Sequence, residues 1–314
     1  MSKRESFLWT EKYRPATISD CILPKHIKDV FRGSLKSGEI TNFLLCGKPG
    51  MGKTTVAKAL CSELKLDYQF INGSEQNGID VLRTMVKDFA SSVSLISDKK
   101  VVIIDEADYI TANAQAALRG MIEEFSSNCT FIFTCNFENK IIDAIHSRCA
   151  VVQFVVRDKD KLSLIQDFYK RTSHILEKEN VEFNKEVLGK VIVDNFPDFR
   201  RTINELQRFA TANGKIDEGI LAQTSNINID SLFKAITNKK YGDLREWVVE
   251  SLDNDSTKIY RQIYDALADY LEPGSVPMAV MILGDYQYKA AFAADHEINL
   301  LACLTEIWKD CEFK

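Results

Sequence analysis

Gly47-Lys48-Pro49-Gly50-Met51-Gly52-Lys53-Thr54 follows the apolar run 42–46 and opens a helical pattern over 54–64. A strand, a glycine-rich turn and a helix in that order point to an α/β fold. The glycines let the backbone curl so that its N–H groups converge at a helix N-terminus, whose dipole favours negative charge. That is the geometry of a phosphate-binding loop. In such a loop Lys53 reaches the β- and γ-phosphates of a nucleotide and the Thr54 hydroxyl holds Mg²⁺.

Outward from this loop, β-like runs at 68–71, 101–104, 130–134 and 150–156 alternate with amphipathic helical patterns at 78–90 and 113–125. The alternation predicts a parallel sheet with helices on both faces, in which ligands sit at the carboxyl ends of the strands. Val101-Val102-Ile103-Ile104 reads as a strand buried on both faces, and it delivers Asp105-Glu106-Ala107-Asp108 to that edge. Asp105 is placed to bind Mg²⁺ through water, and Glu106 to polarise an attacking water as general base. The next strand ends at Asn136, which either orients that water, touches the γ-phosphate or simply forms a turn. Arg148, in Ser147-Arg148-Cys149 before the last strand, either points to solvent or serves a neighbouring ATPase site as an arginine finger. The helix 113–125 buries Ala114, Ala117, Leu118, Met121, Ile122 and Phe125 and turns Asn113, Arg119 and Glu123 outward.

The chain of 314 residues, 45% hydrophobic, is too long for one typical domain. Strand signals stop after Arg157, and helical patterns continue at 158–179, 184–195 and 198–212. Phe199, Ile203, Leu206 and Phe209/Ala210 form the buried stripe of the last of these. Arg200 lies at the stripe's edge near the helix start, where a cation opposes the helix dipole and so hints at an outside anion; a solvated side chain is the alternative. A third helical block comes after the polar stretch 223–228. Ile259, Ile263, Leu267 and Tyr270 lie on one of its faces, and Leu300, Leu301, Leu304, Ile307 and Trp308 on another. These faces suit an oligomerisation collar or a plain bundle core equally well. The expected domains are 1–156, 157–226 and 227–314. Eight cysteines without a C-x-x-C pair read as reduced thiols, not as bridges or a zinc site. No apolar run approaches ~20 residues and the first residues lack a signal-peptide core, so a soluble, cytoplasmic protein with no membrane partner is expected. A net charge of −5 leaves nucleic-acid binding open.

Together these residues resemble the AAA+ clamp loaders, specifically replication factor C small subunits and the clamp-loader large subunit of T-even-type bacteriophages. The resemblance covers essentially the whole chain. Its most diagnostic pieces are Glu11-Lys12-Tyr13-Arg14-Pro15, Asp105-Glu106-Ala107-Asp108, Ser147-Arg148-Cys149 and Phe196-Pro197-Asp198-Phe199-Arg200-Arg201-Thr202-Ile203, of which the first and third are much narrower than the phosphate loop. It implies an AAA+ P-loop domain followed by an all-helical lid and an all-helical collar. ATP and Mg²⁺ are the implied cofactors. The segment Glu11, Lys12, Tyr13, Arg14 and Pro15 would pack on adenine, while Gly47, Pro49, Gly50, Met51, Gly52, Lys53, Thr54 and Thr55 hold the phosphates. Asn136 matches sensor 1, Arg200 the sensor 2 arginine, and Arg148 the finger acting across subunits.

The resemblance also implies the work: a DNA- and clamp-stimulated ATPase that loads a ring-shaped sliding clamp on primer–template DNA. Its companions would be other clamp-loader subunits in a pentameric spiral, with the phage-infected host cytoplasm as its place if it is of phage origin. The helix 78–90 would line the spiral's interior, where Arg83 and Lys87, four residues apart, could track phosphates. One position departs from many relatives: Asn77 stands where Arg or Lys restrains the catalytic glutamate, and it cannot form an ion pair with Glu106. Two rival readings share the ATPase core, a branch-migration helicase and a nucleotide-binding scaffold subunit without turnover. Intact Lys53, Asp105 and Glu106 speak against the second.

Overall fold

The computed structural model describes residues 7–75, 78–92, 99–224, 229–252 and 256–314. They form two compact units, Met1–Glu218 and Gly219–Lys314, which are taken separately.

The first unit begins with α1 (Trp9–Lys12) and α2 (Lys25–Ser37) and then alternates β1 (Phe43–Gly47), α3 (Lys53–Glu63), β2 (Asp67–Asn72), α4 (Ile79–Ser91), β3 (Lys100–Asp105), α5 (Ala112–Glu124), β4 (Cys129–Cys135), α6 (Asp143–His146) and β5 (Ala150–Phe154). The bounds of the five strands and of α3, α4 and α5 lie within a few residues of those the sequence pattern predicts, while α1, α2 and α6 are elements it does not delimit. All strand pairs are parallel, in the order β2-β3-β4-β1-β5. Because successive strand residues face opposite sides, the central strands supply two cores at once. Leu44, Val102, Ile104, Phe131 and Phe133 pack toward α4 and α5. Phe43, Leu45, Val101, Ile103 and Ile132 pack toward α2 and α3. The four residues Val101 to Ile104 are fully buried, as β-branched side chains in a doubly covered strand should be.

Chain order hides one topological feature. β4 lies between β1 and β3, so the phosphate loop after β1 and the acids after β3 flank the end of β4. Thr134 and Asn136 thereby come between them.

The lid region of this unit comprises α7 (Asp158–Lys178), α8 (Lys185–Asn195) and α9 (Phe199–Asn213). Asn184 caps α8 by accepting from Glu186 N–H at 2.9 Å, and Asp198 caps α9 by accepting from Arg201 N–H at 2.9 Å. To the expected helices the structure adds a two-residue parallel ladder, β6 (Glu182–Phe183) with β7 (Lys215–Ile216). Strands this short carry no readable alternation.

The second unit contains α10 (Gly219–Thr224), α11 (Ile229–Thr237), α12 (Tyr241–Ser251), α13 (Ser256–Tyr270), α14 (Val276–Ala290) and α15 (His296–Asp310). Its core gathers Leu232, Trp247, Ile259, Ile263, Leu267, Leu283, Leu300, Leu304 and Ile307. Tyr270, Leu301 and Trp308, expected on the same apolar faces, are only partly buried. On α14, Met278, Met281 and Tyr288 stay exposed.

All eight cysteines are free thiols. Burial pushes Cys21 and Cys61 up to about 12, which keeps them protonated and unreactive near neutral pH. Among the described residues no helix is long and apolar enough to cross a membrane.

Candidate nucleotide-binding site

The loop Gly47 to Gly52 curls at the mouth of a cleft, and Lys53 begins α3 with its side chain almost wholly buried, 7% exposed. A buried ammonium needs acceptors. Lys53 Nζ donates to the carbonyls of Gly47 at 2.7 Å and Lys48 at 2.8 Å, and to Asn136 Oδ1 at 2.9 Å. Burial pushes its ammonium below the usual lysine range.

Next to it lies a hydroxyl and carboxylate network. Thr54 Oγ1 donates to Asp105 Oδ1 at 2.7 Å, and Thr134 Oγ1 donates to the same oxygen at 2.6 Å. Thr134 Oγ1 also accepts from Glu106 N–H at 3.1 Å. One hydroxyl on β4 thus fixes both acids. Glu106 adopts a left-handed backbone with φ 54°, a conformation costly for a residue with a side chain and commonly found at functional turns. Gly73 makes room for this turn: its N–H donates to Asp105 O at 2.7 Å, and an added β-carbon would meet Glu106 O at 2.7 Å.

The same cleft is lined by Tyr13, Arg14, Pro15, Pro49, Gly50, Met51, Gly52, Thr55, Asp105, Glu106 and Asn136 from the sequence-derived set, together with Arg200 from α9. It measures about 1070 Å³ including its part open to solvent, ample for a nucleotide. Glu11 and Lys12 lie off its wall. Around them, Thr10 of α1 and Tyr13 and Arg14, which follow it, line the cleft. Glu11 pairs instead with Arg14, which holds the Glu11 carboxyl below the usual carboxylate range, and Lys12 pairs with Glu179 at 2.9 Å. Gly47 also lies off the wall and contributes its carbonyl to Lys53.

Several contributors escape a reading of the sequence. Ile22, Leu23, Phe168 and Arg171 line the cleft, and the first three make its apolar part together with Phe199 and Ile203 of the expected α9 stripe. Arg171 Nη2 donates to Tyr13 O at 2.7 Å, and Trp9 N–H donates to Gln207 Oε1 at 2.9 Å. The N-terminal arm therefore rides on the lid. Gln115, 1% exposed on α5, donates to Ile110 O and Lys140 O at 3.0 Å and accepts from Ile142 N–H at 2.9 Å. A polar residue beside an apolar stripe is its available signal.

The remaining expected residues lie elsewhere. Arg148 does not line its own chain's cleft. Its Nε donates to Glu123 Oε1 at 2.9 Å and its Nη1 to Ala144 O at 2.8 Å and Ser147 Oγ at 3.1 Å. Arg83 and Lys87 are exposed on α4, and Lys87 reaches Glu124 at 3.7 Å. Asn77 lies outside the described residues.

A curled phosphate loop, acids at the carboxyl edge of a five-stranded parallel sheet and a helical lid define an AAA ATPase. In agreement, the model of the ATPase family associated with various cellular activities (AAA) matches residues 43–157. A second model, the sliding-clamp-loader large subunit AAA+ ATPase lid domain, matches residues 160–222. The chain belongs to the clamp-loader family. It is 34% identical to the sliding-clamp-loader large subunit of Escherichia phage RB69, over 97% of this chain and 96% of that protein. It is 32% identical to the replication factor C small subunit of Methanocella arvoryzae, over 96% of each chain. Among solved structures it is similar in fold to the Thermotoga maritima RuvB Holliday junction branch migration motor, with TM-score 0.55 and 17% identity, covering 71% of this chain and 78% of that one.

The Thr134 hydroxyl can be checked directly. Thr134→Val keeps the shape but strips a donor from Asp105 and orphans the Glu106 N–H, and should destabilise the first unit by about 1–3 kcal/mol. Urea unfolding measures it, and a loss below ~0.5 kcal/mol would show that the hydroxyl does not organise the two acids.

Proposed function

We propose that this chain is an ATP-hydrolysing clamp-loader subunit that opens a ring-shaped sliding clamp, places it on primer–template DNA and releases it on hydrolysis. One observation carries the reading. Lys53, Thr54, Asp105, Glu106 and Asn136 converge on one cleft that Arg200 of the lid also lines, in a chain with a relative across its length named a sliding-clamp-loader large subunit. The RuvB likeness supports the fold alone and does not favour branch migration.

In this reading Lys53 exchanges protein oxygens for phosphate oxygens, and the apolar end of the cleft takes the adenine. Thr54 and Asp105 would hold Mg²⁺, since a hydroxyl beside a carboxylate is a hard oxygen donor set of the kind this ion takes. When bound, the ion neutralises phosphate charge. Glu106 accepts a proton from water as the water oxygen bonds to the γ-phosphorus and the bond to the β,γ-bridging oxygen breaks, giving ADP and phosphate. Asn136 orients the water or γ-phosphate, and Arg200 offsets charge from the lid side.

Arg148 serves the neighbouring subunit's site. It stands outside its own cleft, and reaching a neighbour requires it to exchange Glu123, a solvent-exposed partner, for a phosphate. The exposed face of α14, with Met278, Met281 and Tyr288, supports a collar that joins subunits into a spiral hetero-oligomer. Arg83 and Lys87 then face the enclosed DNA, and the complex works in the cytoplasm, of an infected host if the source is a phage.

Glu106→Gln should bind ATP normally yet hydrolyse it at a background rate, whereas Lys53→Ala should fail at binding. Near-normal turnover by Glu106→Gln removes the base assignment. Arg148→Ala should bind ATP and lose hydrolysis by roughly 10³-fold or more. Co-assembled with Lys53→Ala subunits, and with exchange verified by native mass spectrometry, it should recover activity at interfaces that pair an intact loop with an intact arginine. A silent mixture returns Arg148 to an ordinary surface charge.

A further inference from the structure

Gly50 and Asp198 are far apart in sequence and touch in space. Gly50 has φ +75°, and a β-carbon built on it would lie 1.8 Å from Asp198 Oδ1, 2.4 Å from its Cγ and 3.1 Å from its Oδ2. The carboxylate therefore occupies the place where a side chain at position 50 would be. It is not a loose tip that happens to fall there. The same Oδ1 accepts from Arg201 N–H at 2.9 Å and caps α9, so its position is fixed from the lid side as well.

The first turns of α9 make the contact consequential, because Phe199, Arg200 and Ile203 all line the nucleotide cleft. Beyond the contact, Pro49, Gly50, Asp198, Arg200, Arg201 and Arg208 border a second groove outside that cleft. The Asp198 carboxylate is thus the seam between the phosphate loop and the lid helix α9, and it sits two residues before Arg200. A cap residue sets where a helix starts; a cap residue also pressed against the loop sets where that helix stands relative to the phosphates.

We propose that Asp198 is a positioning residue of the ATP site. Its carboxylate, seated on the bare Cα of Gly50, registers the lid on the phosphate loop and so places Arg200. The proposal rests on the reading of Arg200 as a phosphate contact. It assigns Gly50 a second duty beside chain curvature, which is to leave room for the lid.

The test uses the full chain and titration with a fluorescent ATP analogue and Mg²⁺, alongside thermal unfolding. Arg200→Ala should weaken binding roughly tenfold or more, as expected for loss of a charge-assisted hydrogen bond. Asp198→Ser retains a good capping residue but is too short to cover Gly50. It should unfold at the wild-type temperature and yet weaken binding by the same factor as Arg200→Ala. Combining the two should add nothing beyond about twofold, because both remove one interaction. Asp198→Asn, which keeps shape and cap, should bind within about twofold of wild type. If Arg200→Ala binds normally, the phosphate role of Arg200 falls and the proposal with it. If Arg200→Ala weakens binding while Asp198→Ser does not, or the two losses multiply, the positioning by Asp198 alone is overturned. Loss of binding in Asp198→Asn would likewise overturn it in favour of a role for the charge itself.

Discussion

A buried ammonium cannot stand alone, and the site is shaped by how this chain meets that requirement. Lys53 is held by two carbonyls of its own loop and by the Asn136 amide oxygen. The carbonyls are available because the loop curls back over the start of α3; the amide is available because β4 lies beside β1. Phosphate oxygens are stronger acceptors for an ammonium than neutral amides are. The pre-arranged set is therefore one that a triphosphate can replace, while desolvation keeps the charge from being screened by water.

The acids obey the same geometry from the other side. β3 also borders β4, so Asp105 and Glu106 arrive opposite the loop with Thr134 between them. A single hydroxyl bridges a hydrogen-bonded carboxylate and the backbone of the strained Glu106 turn. Ser or Thr at that position serves this purpose; an apolar residue of equal size does not.

The parts of this arrangement legible in the sequence are those whose chemistry is local. The phosphate loop and the β-branched run before Asp105 announce themselves by residue type within a few positions, whereas Asn136 reads also as a turn former until β4 is seen beside β1. Strand order does not announce itself, because β1 and β4 are joined by contacts between residues distant in sequence, Phe43 opposite Ile132. Nor does the seating of the N-terminal arm on α9, where Trp9 meets Gln207. Glu11 and Lys12 belong to the same motif as Tyr13, yet one turn of helix can present only part of itself to a cleft. Gln115 is a polar residue beside an apolar stripe and ties two backbone segments together, one at Ile110 and one at Lys140 and Ile142. The ladder of β6 and β7 is too short to leave a pattern at all.

In the proposed function, nucleotide binding turns on Lys53 trading protein acceptors for phosphate. The most direct measurement is an experimental structure of the chain with Mg²⁺ and a non-hydrolysable ATP analogue. It should place Lys53 Nζ on phosphate oxygens with its bond to Asn136 Oδ1 broken, and Thr54 and Asp105 turned toward the ion. A bound analogue with Lys53 still holding Gly47, Lys48 and Asn136 and touching no phosphate would contradict it.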